Sequence, residues 1–363
     1  LMRILIKKLY MAIIRSLNML FFPVKVNKQH IVVFMTFYED MMPIIKALVQ
    51  QSYQITVIGP KKYQQEVESL GHLNYLIAGN KGVIQHIKAL SSARVILIDT
   101  YYLMLGGYRK KRGQTIIQTW HASGALKLFG LQDHQVDTAN TQMVTQYKKV
   151  YDATDYYLIG GEEMGKCFEG AFDAQAAQML KFGMPRLVDY QQQDMIKRQR
   201  DLKQQHGITK KLIVYVPTYR EDHGNNRKIN SEKIEQALPE YRVISQFHPS
   251  IVHQSSGIST QELLIMADVL ISDYSSLPIE ASLLHKPTLF YVYDETEYHD
   301  QRGLNQFYWT IPEVYKVTDE AEIINKLKND STQLKPLFES WHDYNSTQSL
   351  MLLMNFIDKL VKK

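Results

Sequence analysis

The chain has 363 residues, 45% of them hydrophobic, enough apolar material for two domains with their own cores. Its single cysteine, Cys167, excludes intramolecular disulfides and any cysteine-based metal cluster. Six basic residues fall within residues 1–38, which hold no acid. The remaining 36 basic residues face 37 acidic ones, so the body is near neutral and is not expected to bind nucleic acid.

The chain opens LMRILIKKLYMAIIRSLNMLFFP, which predicts a helix ended by Pro23. At about 100° per residue, Arg3, Lys7, Lys8, Arg15 and Asn18 share one face, with Ile4, Leu5, Leu9, Ile13, Leu17 and Leu20 on the rest. No run of about 18 uncharged residues is present, so a bilayer span is not expected. Charges interrupt the apolar region and no small-residue cleavage site follows, which argues against a secretory signal. The pattern predicts a separate unit, residues 1–28, lying on an anionic membrane surface. The alternative is a helix packed on its own domain. Four consecutive cations, Arg109, Lys110, Lys111 and Arg112, offer a second membrane contact, or simply a solvated loop.

Residues 31–37, 53–59, 73–78, 94–99, 114–120 and 156–160 read as strands, with helical stretches at 41–51, 63–70 and 81–90. That alternation predicts a parallel sheet with helices on both faces. It restarts after a polar, Gln-rich linker helix at 191–205, with strands at 211–216, 241–247, 269–272, 288–292 and a weaker 313–317. The expected fold is α/β. Two Rossmann-like halves, 29–188 and 189–363, would enclose a cleft at the C-terminal ends of their strands. Gly160 to Cys167 nearly fits a phosphate-binding loop. Cys167 replaces the hydroxyl such a loop needs, however, and Glu162 and Glu163 would oppose phosphate. A strand-to-helix turn is the better reading.

Residues 266–303 form the most informative stretch. A buried strand ends in Asp273-Tyr274-Ser275-Ser276, and a helix follows over 277–285 with Ser275 or Ser276 as N-cap and Pro278 in its first turn. Hydroxyls and free N–H groups there suit phosphate, and Glu280, one turn in, suits a ribose or base hydroxyl. An ordinary N-cap on a core helix is the bland alternative. Three more polar turns end strands: Thr119-Trp120-His121, Pro217-Thr218-Tyr219-Arg220 and Phe247-His248-Pro249. In a doubly wound pair of halves all four face one crevice. Histidines suit proton transfer near neutral pH, and Lys127, Arg220 and backbone N–H groups suit phosphate.

Together, Trp120-His121, Gly183-x-Pro185-Arg186-x2-Asp189, Pro217-Thr218-x-Arg220, His248-Pro249, Ser272-Asp273-Tyr274-Ser275-Ser276-x3-Glu280 and Tyr298-x3-Arg302-Gly303 resemble the CDP-glycerol glycerophosphotransferases of wall teichoic acid synthesis. The likeness covers about residues 30 to 350. It implies a GT-B-type fold, peripheral attachment to the cytoplasmic side of the cell membrane, and CDP-glycerol as donor. It implies His121 and His248 as catalytic residues. Lys127, Thr218, Arg220, Asp273, Ser275, Ser276, Glu280, Tyr298 and Arg302 are then expected at the substrates, with other teichoic acid enzymes as partners. The polymerases of this family place lysine five positions after histidine. Here Lys127 is six after His121, in a form similar to the primases that add the first unit. The implied acceptor is undecaprenyl-diphospho-GlcNAc-ManNAc.

The chemistry expected is in-line displacement at the β-phosphorus of CDP-glycerol with CMP leaving. His121 would be the base, and His248, Arg220 and the serine turn would bind the diphosphate. No Asp-x-Asp motif ends a strand, so the sequence requires no protein-held metal, and free magnesium assisting the diphosphate stays open as an alternative; no cofactor is expected. The competing readings are a polymerase or second-step transferase of the same family, a GT-B nucleotide-sugar glycosyltransferase, and a non-catalytic membrane scaffold.

Overall fold

The computed structural model describes residues 2–218, 228–247, 257–329 and 334–363. Seven strands build the first sheet: β1 His30–Phe34, β2 Gln54–Gly59, β3 Asn74–Ile77, β4 Val95–Ile98, β5 Thr115–Gln118, β6 Tyr156–Leu158 and β7 Met179–Leu180. Five build the second: β8 Lys211–Val216, β9 Tyr241–Ser245, β10 Val269–Ser272, β11 Thr288–Tyr291 and β12 Lys316–Val317. The orders are β3-β2-β1-β4-β5-β6-β7 and β12-β11-β10-β8-β9, and every paired neighbour is parallel. β1 and β10 are buried along their whole length, because helices cover both faces and leave no polar side. In each sheet the order reverses beside a central strand, which opens a crevice at the C-terminal strand ends.

All eleven expected strands are present. The twelfth, β7, is two residues long, too short for a periodic signal. Residues 313–315 form a 3₁₀ turn, so only Lys316–Val317 of that expected strand pairs. The linker helix is Met195–Gln205, started by Asp194, whose carboxylate accepts from the N–H groups of Ile196 and Lys197. Gly160 and Gly161 lead into the helix Glu162–Phe172. A Cβ on Gly161 would lie 2.4 Å from Ser340 O, so that glycine serves chain packing.

The second unit does not run unbroken to residue 363. The C-terminal helix Ser349–Lys362 returns to the first sheet, and Leu353, Ile357, Leu360 and Val361 join the core beneath β1 and β2. Arg94 Nε donates to Leu360 O at 2.7 Å, and Tyr53 OH to Asp358 Oδ1 at 2.7 Å. An apolar stripe at i, i+4, i+7 and i+8 needs a sheet face, and the first sheet supplies it.

The N-terminal helix, Met2–Phe21, also packs on the first domain. Ile14 and Met11 are buried against it, and Gly107 permits the approach, since a Cβ there would meet Met11 O at 2.4 Å. The expected polar face is partly the inner one. Asn18 is buried with Oδ1 accepting from Arg109 N at 2.9 Å, and Lys7 lies 4.9 Å over the Tyr147 ring. The outer face is apolar: Met2, Leu5, Ile6, Leu9, Ile13 and Leu20 are exposed, flanked by exposed Arg3, Lys8 and Arg15. The basic quartet is likewise divided. Lys110 pairs with Asp155 at 2.5 Å. Lys111 Nζ donates to Val24 O at 2.5 Å, Ser91 O at 2.7 Å and Phe21 O at 3.2 Å, tying down the end of the helix. Arg109 and Arg112 remain exposed. No helix among the described residues is long and apolar enough to cross a membrane.

Candidate active site

Between the two sheets lies a cavity of ≈ 490 Å³, walled by residues 120–122, 124–127 and Phe129 from the first domain and by Val216, Pro217, Thr218, Gln246, Tyr274, Ser275, Ser276, Leu277 and Arg302 from the second. On the first wall, β5 runs into Gln118, whose amide donates to Thr100 O and accepts from Trp120 N. Trp120 is held at φ 62°, an uncommon left-handed conformation for a non-glycine residue, and its ring is locked against Phe129, Phe168 and Phe172. That turn delivers His121 to the cavity.

His121 stacks on Phe37 at 3.9 Å and 8°, and its Nδ1 lies 2.7 Å from Asp99 O. A carbonyl only accepts, so Nδ1 carries the proton in the neutral ring and Nε2 keeps a free lone pair. Burial pushes the His121 pKa down to about 4, with the positive charges of Lys127 and Arg186 adding to the effect. The Asp99 carboxylate accepts from Thr36 N and Phe37 N at 2.7 Å and from Tyr102 OH at 2.6 Å. It therefore fixes the loop that brings Phe37 onto His121. Burial lifts its own pKa to about 6, against those hydrogen bonds.

Lys127 is placed by a crossing between domains. Leu128 N donates to Gly303 O at 2.9 Å, and Asn305 N to Leu126 O at 3.0 Å. Gly303 sits at φ 83°, where a Cβ would lie 2.6 Å from Leu128 Cδ1, so this position requires glycine. Arg302 lines the cavity while its Nη2 holds Asp133 Oδ2 at 2.8 Å. Burial and the Arg302 charge both lower the Lys127 pKa. Two cations in one cleft are chemically suited to an anion.

On the second wall, Asp273 Oδ1 accepts from Thr218 N at 2.8 Å, Thr218 Oγ1 at 2.5 Å and Tyr274 N at 2.7 Å. Asp273 is 3% exposed, so it shapes the turn and binds the β8 loop to it, while Thr218, Ser275 and Ser276 face the cavity. Ser275 Oγ accepts from Leu277 N at 3.2 Å; Ser276 occupies the N-cap position of the helix Leu277–Leu283 without a side-chain cap bond.

Two expected substrate contacts lie elsewhere. Tyr298 is buried behind the turn, stacked on Tyr274 at 4.2 Å, where the aromatic pair supports the strand end. Glu280 is 5% exposed and gives both carboxylate oxygens to Arg186, at 2.6 and 2.9 Å, so it does not present a free oxygen to a ribose. Arg220 and His248 lie outside the described residues. Sequence reasoning missed Phe37, Asp99 and Tyr102, which orient His121; the one available signal was an aspartate closing a buried strand. Among the described residues, no three of His, Cys, Asp and Glu come together so as to hold a metal ion.

Two doubly wound sheets facing each other across such a cleft define a GT-B-type enzyme. Residues 18–349 match the family model described as CDP-Glycerol:Poly(glycerophosphate) glycerophosphotransferase, and the chain belongs to that family. It is 50% identical, over 100% of both chains, to the teichoic acid glycerol-phosphate primase of Staphylococcus aureus (strain NCTC 8325 / PS 47). It is 31% identical, over 86% of each, to that of Bacillus subtilis (strain 168). The fold is similar to that of the wall teichoic acid polymerase TagF, with a TM-score of 0.76 at 19% identity, covering 100% of this chain and 98% of the other.

Proposed function

We propose that the protein is a glycerol phosphate primase: it transfers one glycerol phosphate from CDP-glycerol to the ManNAc 4-hydroxyl of undecaprenyl-diphospho-GlcNAc-ManNAc and releases CMP. The observation that carries the reading is His121, with Nδ1 committed to the Asp99 carbonyl and Nε2 unprotonated at the cavity, opposite the turn of Thr218, Ser275 and Ser276. The acceptor hydroxyl loses its proton to Nε2 as its oxygen attacks the β-phosphorus in line. The bond from that phosphorus to the bridging oxygen breaks, and CMP leaves with the electron pair. Hydroxyls and N–H groups of the turn, with Lys127 and Arg302, bind the diphosphate and stabilise the charge that develops on it. Arg220 and His248 are assigned to the same diphosphate by their motifs.

The acceptor reaches the cleft at a membrane surface. The outward stripe of the N-terminal helix inserts into the cytoplasmic leaflet, and Arg3, Lys8, Arg15, Arg109 and Arg112 meet anionic headgroups, each cation contributing about 1 kcal/mol. Other teichoic acid enzymes are the partners this location would favour.

The test is incubation with CDP-glycerol and the lipid-linked disaccharide, followed by mass analysis of the lipid product. A single added glycerol phosphate supports the primase. A ladder of additions indicates a polymerase, and turnover of a UDP- or GDP-sugar in its place indicates a glycosyltransferase.

A further inference from the structure

Arg186 lies in the crossover that carries the chain from the first sheet to the second. Its Nε donates to Asp40 Oδ1 at 2.8 Å, while Nη1 and Nη2 grip Glu280 Oε1 and Oε2 at 2.6 and 2.9 Å. Tyr190 OH donates to Glu280 Oε1 at 2.8 Å. All four residues are buried. The guanidinium fork is planar and rigid, so it fixes direction as well as distance.

The partners are placed at informative points. Asp40 stands in the first turn of the helix Tyr38–Val49, which begins directly after Phe37, the ring stacked on His121. Glu280 stands in the helix that begins directly after Ser276 of the second wall. One side chain in the crossover thus joins the His121 support on one side to the serine turn on the other. The crossover is itself constrained: Gly183 sits at φ 77°, and a Cβ there would lie 2.3 Å from Ser349 Oγ and 2.4 Å from Tyr344 O. Net stability alone is a weak reason for such a cluster, since buried ion pairs are often no better than apolar packing of the same volume.

We propose that Arg186 is a positioning residue, clasping Asp40 and Glu280 so that His121 and the Ser275–Ser276 turn face each other across the cleft at one fixed separation. The clasp rests on the CDP-glycerol reading for its assay and not for its geometry. Loss of alignment slows the chemical step without removing donor contacts.

The experiment is steady-state kinetics of CMP release for the whole protein carrying Glu280→Gln, Asp40→Asn, Tyr190→Phe or Arg186→Lys. The clasp predicts that kcat falls about 10- to 100-fold in Glu280→Gln and Arg186→Lys, while the KM for CDP-glycerol moves less than about threefold. Asp40→Asn and Tyr190→Phe each remove less of the network and should give smaller losses of the same kind. Arg186→Met leaves two buried carboxylates without a cation and risks unfolding, which is why variants close in shape that keep a cation at position 186 carry the test.

A second readout separates positioning from mere support. The charged groups acting on His121 are Lys127 and Arg186, while the Asp99 backbone carbonyl accepts the hydrogen bond from Nδ1. Arg186→Lys keeps the cation, so the acid limb of kcat/KM stays in place while kcat falls. A KM that rises tenfold at unchanged kcat in Glu280→Gln would make Glu280 a donor ligand and overturn the clasp. So would a lowered Tm with unchanged kcat in the folded variants. Absence of CMP release by the wild-type protein would instead remove the functional reading and leave the geometry standing.

Discussion

The two walls of the cleft are built on opposite principles. The first wall is aromatic: Phe37 covers one face of His121, Trp120 packs behind it, and a single carbonyl fixes its tautomer. The second wall is a polar turn, organised from beneath by Asp273, which leaves hydroxyls at the cavity. Burial on the aromatic wall disfavours the imidazolium, which suits His121 to the proposed role of neutral base. The polar wall holds its donors fixed, which suits the proposed role of anion site. In the proposed mechanism proton transfer falls to the first domain and most of the charge stabilisation to the second, with Lys127 reaching the diphosphate from the first, so a fault in either wall should leave a different kinetic trace.

The largest effect comes from breaking the aromatic wall. His121→Ala should cost roughly 10²- to 10⁴-fold in turnover at unchanged Tm, measured as CMP release and by thermal unfolding. A variant with wild-type turnover would remove His121 from the mechanism. Breaking the polar wall comes next. Asp273→Ala leaves Thr218 N, Thr218 Oγ1 and Tyr274 N without their shared acceptor, and should cost about 1–3 kcal/mol of stability. Its kinetic loss should concentrate on CDP-glycerol; a rise in the acceptor KM alone would contradict the assignment of walls.

The pH dependence sharpens the contrast with a smaller signal. The free enzyme's kcat/KM should hold through neutral pH and fall only as pH drops toward the His121 pKa of about 4, rather than near the ordinary value of about 6.5. The stability sign follows from the same shift. Below about pH 6.5 the unfolded chain takes up a proton at this histidine and the folded chain does not, so stability declines from there down to about pH 4. A limb centred on the ordinary histidine range would show that the ring is solvated.

The smallest catalytic effect belongs to the N-terminal helix, whose two faces can be told apart. Leu5→Ser with Leu9→Ser and Ile13→Ser should weaken co-sedimentation with anionic vesicles, and change neither Tm nor activity on a short-chain, water-soluble acceptor. Ile14→Ala, on the buried face, should instead cost about 2–5 kcal/mol of stability with vesicle binding retained. These point substitutions are a cleaner test than deleting residues 1–28, which would remove Met11 and Ile14 and uncover the core they pack against.

Much of this was legible in the chain. The strand alternation gave both sheets, and the described parts of the polar strand ends, at His121, Thr218, Phe247 and Ser275-Ser276, do line the cleft. What escaped were contacts made between distant segments. Glu280 read as a ligand because it stands one turn beyond a serine pair; its partner, Arg186, is 94 residues away and arrives only through folding. Asp99 closed a predicted strand, but nothing local tied it to Phe37 or His121. The N-terminal helix has the expected amphipathic pattern with its orientation reversed in part, because Asn18 finds a backbone donor inward and the leucines do not need one. Periodicity locates faces; long-range partners decide which face is buried.

The division of labour between the walls is tested most directly by isothermal titration of CDP-glycerol onto His121→Ala. The account predicts a Kd within about twofold of wild type in a protein whose turnover is lost, since the base acts on the acceptor and touches no donor group. A Kd weakened tenfold or more would make His121 a ligand of CDP-glycerol and contradict the assignment.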